Sequence, residues 1–222
     1  MKAYALSKRV SILVIAVILL APLAASAEAP IQNSNLIPFF MHVRGGSCSL
    51  TDPAVGMITM TTPLSTPLFN RNLEGPITCD PLLAPDGHQV TLGEFTALKG
   101  TAKVKCIGTG THSVLHFSGL QPRGVYTVWL FVFANGGPDP TDVGALGTTN
   151  PIENFFTASA SGEGLLSVTT PEEDLSAGGH VGPCWLSSPV QLHLVYHSDN
   201  QTHGPLPGET KTWVTNARFF FP

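Results

Sequence analysis

The residues with distinctive chemistry are eight histidines and four cysteines in a chain of 222 residues. Six of the histidines lie beyond residue 100: His112, His116, His180, His193, His197 and His203. His112 and His116 form an i, i+4 pair, and so do His193 and His197. Imidazole is a common ligand for Zn²⁺ and Cu²⁺. On a helix that spacing would bring both rings to one ion. On a strand it separates them by about 13 Å, four steps of roughly 3.3 Å. Both pairs lie in strand-like sequence, so neither can hold an ion alone. A Zn or Cu site built from His112, His116, His193, His197 and His203 needs one ring from each of two strands, or His203 folding back from its loop. Leu115 and Phe117 alternate with the first pair, and Leu192, Leu194 and Tyr196 with the second. If the apolar sets form the core, the histidines face solvent or a partner across a sheet face.

The cysteines, Cys48, Cys79, Cys106 and Cys184, are even in number and spaced 31, 27 and 78 residues apart. Zinc sites built on cysteine want close pairs such as C-x-x-C, which are absent here. Two disulfides are the expectation, and four cysteines allow three pairings. Cys48–Cys79 with Cys106–Cys184 is favoured. The first pair lies in an irregular N-terminal region, and the second joins two strand-like regions.

Other chemistries find little support. A blue-copper centre needs Cys, His and usually Met around one loop. Here Trp185 follows Cys184, and all four Met lie at or before residue 60. Asp139 with Asp142, and Glu172 with Glu173 and Asp174, could offer oxygens to calcium, but neither group fits an EF-hand. No G-x-S-x-G, H-E-x-x-H or phosphate-binding glycine loop occurs. A formal net charge of −4 leaves no electrostatic footprint for nucleic acid.

The elements that must position these residues are strands. Hydrophobic residues make up 43% and charged residues 12%, the latter about half the usual share, which excludes a charged disordered chain and a coiled coil. Thr101–Cys106 alternates cleanly, with Ala102, Val104 and Cys106 on one side. His112–Phe117 follows after a glycine turn. Val125–Phe133 (VYTVWLFVF) reads as a central strand buried on both faces. Phe40–Val43, Val55–Thr62, Val90–Leu98, Phe155–Ala160, Leu165–Thr170, Val190–His197 and Thr212–Phe221 are further strand candidates. No window beyond the N-terminus has a persuasive helical period. The fold expected is all-β: a single antiparallel β-sandwich of Greek-key or immunoglobulin-like type, stabilised by disulfides, spanning residues 39–222.

Gly110–Trp129 (GTHSVLHFSGLQPRGVYTVW), His193–His197 (HLVYH) and Gln201–Pro205 (QTHGP) resemble a group of exported prokaryotic β-rich proteins with no assigned activity. A looser likeness is to the Greek-key sandwich of copper-zinc superoxide dismutases and chordin-type domains. The H-x-H metal motif of that sandwich is absent here, so the likeness implies a fold and no activity.

Residues 1–27 read as a signal peptide. Lys2, Lys8 and Arg9 precede the apolar run Ile12–Leu20, and Ala25-Ser26-Ala27 supplies a cleavage site. The run is shorter than the roughly 20 residues of a spanning helix, so no stable transmembrane anchor is expected after cleavage. Residues 28–38, polar and Pro-bearing, read as a flexible leader. The expected function is that of a secreted or periplasmic, non-enzymatic sandwich, binding an unknown ligand or envelope component without a cofactor. The alternative is a Zn- or Cu-binding exported protein using the histidines. Edman sequencing of exported protein should begin at Glu28; a product that still carries Met1 would refute cleavage.

Overall fold

A computed structural model describes residues 31–71, 77–134, 136–174, 180–182 and 184–222. The expected signal peptide, residues 1–27, lies outside the described residues. Two antiparallel sheets carry the architecture. The first runs in the order β1 (Gln32–Asn35), β6 (Lys99–Ile107), β7 (Gly110–Ser118), β11 (Gly164–Thr170). The second runs β10 (Phe155–Thr157), β8 (Val125–Val132), β14 (Val190–His197), β15 (Trp213–Phe221), β2 (Ile37–Pro38). A further strand, β9 (Asp142–Ala145), pairs with the far half of β8 on the edge that β10 occupies at the near half. A small sheet of β3 (Val43–Gly45), β4 (Leu68–Asn70) and β5 (Asp80–Pro81) and a ribbon of β12 (Glu173–Asp174) and β13 (His180–Val181) complete the β structure.

Period-2 alternation makes the two sheets a sandwich. Ala102, Val104, Leu115, Phe117, Leu166 and Val168 point inward from the first sheet. Val128, Leu130, Leu192, Leu194, Val214 and Phe219 meet them from the second. Phe117 lies 5.8 Å from Phe219 and stacks on Phe156 at 5.1 Å, bridging the layers. The disulfides are Cys48–Cys79 and Cys106–Cys184, the favoured pairing, with Cα atoms 5.7 and 5.3 Å apart. Cys106 sits near the end of β6, and Cys184 opens the short turn that leads into β14. No helix among the described residues is long and apolar enough to cross a membrane.

Four local expectations change. Of Phe40–Val43 only Val43 is in a strand, at the start of β3, and residues 41–42 form a turn. Val90–Leu98 is not a strand: it holds helix α1 (Leu92–Thr96), begun by a capping box. Thr91 Oγ1 accepts from the Glu94 backbone N–H, and Glu94 Oε2 accepts from the Thr91 backbone N–H at 2.7 Å. Residues 55–62 form successive turns, closed by bonds such as Met57 N–H to the Ala54 carbonyl. Gly56 there has φ +73°, outside any strand. The leader is corrected as well. Residues 32–38 are paired, Gln32–Asn35 along β6 and Ile37–Pro38 along β15. This stretch caps an edge of each sheet, and an edge strand with one solvated side needs no apolar pattern.

The second sheet is covered on both faces. Along β14 every residue from Leu192 to His197 is buried. Its inner side meets the first sheet. Its outer side lies under Phe39, His42 and residues of the loop after β14. Leu194→Ala on the inner face should destabilise by roughly 2–5 kcal/mol. Leu165→Ala, on the exposed side of β11, should stay within about 0.5 kcal/mol. Urea unfolding measures both; equal losses would contradict the layer assignment.

Candidate metal centre

The outer face of the second sheet is set by its register. Val195 sits between Thr127 of β8 and Thr215 of β15, and His197 lies opposite Trp213. Thr127, Trp129, Phe131, Gln191, His193, Val195 and His197 alternate with the core residues, so they share the outer side. The expectation is that His193 and His197 face solvent or a partner; they lie on that outer face, but they are covered by the chain's own loops and not by solvent. Their exposures are 8% and 0%. Alternation placed them on the correct side of the strand, but loops cover that side.

Burial obliges each imidazole to find a partner. His193 Nε2 is 2.9 Å from Gln191 Oε1, which also accepts from the Arg218 guanidinium at 2.9 Å. The ring stacks on Phe131 at 4.0 Å and lies 5.4 Å from Phe39. Arg218 in turn sits over the Phe39 ring at 5.1 Å. His42 takes the backbone N–H of Thr215 on Nδ1 at 3.3 Å and packs edge-on against Trp213. These two histidines are structural: they hold the 39–42 segment over the sheet.

His197 is different. Its Nε2 is 2.8 Å from Thr127 Oγ1, and that hydroxyl oxygen accepts from Trp129 Nε1–H at 2.9 Å. Its Nδ1 is buried and makes no hydrogen bond. The chain then turns sharply: Asn200 N–H donates to the His197 carbonyl at 3.1 Å, with Asn200 at φ +57°, a left-handed conformation that Asn tolerates. Asp199 Oδ1 accepts from the Gln201 N–H, and Asp199 Oδ2 lies 2.8 Å from His203 Nε2. His203 is held from behind by Gly208, where a Cβ would come within 2.4 Å of the ring. Ser198 N–H donates to the Thr212 carbonyl at 2.7 Å and closes the base of the loop.

The result is one donor atom each from His197, Asp199 and His203, all within 4.8 Å of one another. Ligand atoms sharing a Zn²⁺ or Cu²⁺ ion lie roughly 3–4 Å apart. Small rotations of Asp199 and His203, whose side chains are 23% and 27% exposed, can close the remaining gap. Burial pushes the His197 pKa down to about 4, against the pull of Asp199, so its imidazole is neutral, the form that ligates metal. Thr127 fixes the ring plane from behind, as second-layer partners of metal-bound histidines do.

Of the five candidate histidines, the fold brings together His197 and His203. His193 is engaged elsewhere. His112 and His116 lie on β7 in the other sheet. His112 Nδ1 meets Thr169 Oγ1 at 3.1 Å, and His116 is exposed. Neither joins the cluster. Asp199 was missed by sequence reasoning. The spacing His197-x-Asp199-x₃-His203 around a polar turn was the available signal, because a turn, unlike a strand, gathers donors only a few residues apart. No family model matches the chain, and no curated protein is significantly similar to it.

The buried histidines make a pH dependence. Burial, with Arg44 adding to it, lowers the pKa of His42 to about 4; burial, with Arg218 and His42, lowers that of His193 to about 3. The unfolded chain binds these protons near pH 6.5, so their stabilisation is complete above that value. It is lost as pH falls from 6.5 toward 4 and 3. The loss should reach on the order of 2–3 kcal/mol for each group by pH 4. His193→Gln should flatten part of that slope in urea unfolding followed against pH; an unchanged slope would contradict it.

Proposed function

We propose that the protein is an exported, disulfide-braced β-sandwich that binds a divalent transition metal, Zn²⁺ or Cu²⁺, through His197, Asp199 and His203. The observations that carry this reading are the cluster of His197, Asp199 and His203, with one donor atom each within 4.8 Å of one another, and the buried Nδ1 of His197, which has no hydrogen-bond partner. An orphaned buried polar atom costs on the order of 1–3 kcal/mol, which a metal bond at that nitrogen would offset. Two nitrogens and one oxygen suit zinc and copper better than magnesium or calcium, which prefer all-oxygen sites. Three protein ligands leave at least one position for water or an added ligand.

Export is supported by the cationic, apolar and small-residue order of residues 1–27 and by two disulfides, which persist in oxidising compartments. A binding role, rather than catalysis, is supported by the lack of any nucleophile spacing in the sequence.

Calorimetric titration of chelator-stripped protein with Zn²⁺ and with Cu²⁺ should give one site per chain. His197→Ala and His203→Ala should each weaken binding at least tenfold, while His116→Ala leaves it unchanged. Binding that survives both loop variants, or that vanishes in His116→Ala, would overturn the assignment.

A further inference from the structure

On the same outer face a second feature stands apart from the main core. Trp129, Val195 and Trp213 form their own buried cluster, with Phe131 packed against it. With Val143, Pro207 and Thr215 they wall a cavity of about 110 Å³. Pockets between packed rings are uncommon in native proteins, because interiors leave few voids larger than a water molecule and an unfilled apolar wall forfeits dispersion contacts. None of the lining residues is charged. The nearby histidines, His42, His193 and His197, are held neutral by burial, and Arg218 is occupied by Gln191 and Phe39.

The position is also specific. Val195 is two residues from His197 on one strand face, about 6.6 Å along the strand. Trp213 is the ladder neighbour of His197, and Trp129 donates to the threonine that holds the His197 ring. Pro207 belongs to the loop that also carries Asp199 and His203.

We propose that this cavity is a binding site for the compact, uncharged apolar group of a small organic ligand. Its volume suits about five or six heavy atoms, a branched alkyl group or one small ring; an apolar cavity of roughly 150 Å³ takes up benzene or xenon. A cationic head would seek the aromatic faces too, but it would want a carboxylate in the lining, and none is there. The proposal does not rest on metal binding.

The test uses the full mature chain, methyl-labelled and kept in chelator, so that a failure here is separate from a failure of the metal assignment. Benzene is the probe. The Val143 and Val195 methyl signals should shift saturably, while those of Leu194 in the main core should not. Val143→Phe, on an edge strand, should fill the cavity and weaken benzene binding at least tenfold while leaving zinc titration unchanged. Absence of saturable shifts at Val143 and Val195 in the wild-type chain would overturn the proposal whether or not the variant folds. Tetramethylammonium moving the same signals at lower concentration than benzene would overturn the assignment of an uncharged ligand.

Discussion

The burial of strand Val190–His197 on both faces is the constraint on which the rest depends. A strand in a two-layer sandwich normally presents one polar face to water. Here that face carries Gln191, His193 and His197, and water is replaced by a cover of loops. Each polar atom beneath the cover must then be matched inside the protein. The match is made in small networks: His193 with Gln191 and Arg218, Thr215 with His42, and Thr127 with Trp129 and His197. His197 Nδ1 is the atom on this strand that these networks leave over. That leftover nitrogen, on a residue that clusters with Asp199 and His203, is what separates a candidate site from packing.

The cover itself is positioned by the sandwich. Residues 32–39 run along both sheet edges, with Leu36 N–H on the Gly100 carbonyl and Phe39 N–H on the Asn216 carbonyl, and so deliver Phe39 and His42 over the second sheet. The Cys106–Cys184 disulfide and the Trp185 N–H to Thr111 Oγ1 bond at 3.2 Å fix the entry to Val190–His197 against the first sheet. At the other end, Ser198 and Thr212 pin the loop that holds Asp199 and His203. Anchored at its base, the loop keeps Asp199 and His203 beside a rigid strand end, and its outer residues remain open to solvent.

Much of this was legible in the residues. Alternation located strands Lys99–Ile107, Gly110–Ser118 and Val190–His197, and separated Leu192, Leu194 and Tyr196 from the histidines, because period 2 is a local property of the backbone. The disulfide pairing followed from which regions were irregular. What alternation could not carry was the environment of the second face. Whether His193 meets water or Phe131 depends on segments more than 60 residues away, such as Phe131 and Phe39. The leader was misjudged for the same reason, since edge pairing leaves no apolar period to detect. Helix Leu92–Thr96 was hidden by its shortness, although Thr91 and Glu94 spell its capping box. The site is half visible in the sequence: His197 and His203 are candidates there, and Asp199 between them is not.

The central claim is that the buried His197 nitrogen, Asp199 and His203 hold one ion. Anomalous diffraction at the zinc edge, from crystals of the protein loaded with one equivalent of Zn²⁺, tests it most directly. The account predicts a single anomalous peak about 2.0–2.2 Å from His197 Nδ1, an Asp199 carboxylate oxygen and a His203 ring nitrogen. A peak bound instead at exposed His116 or His112, or no ordered zinc near His197, would contradict it.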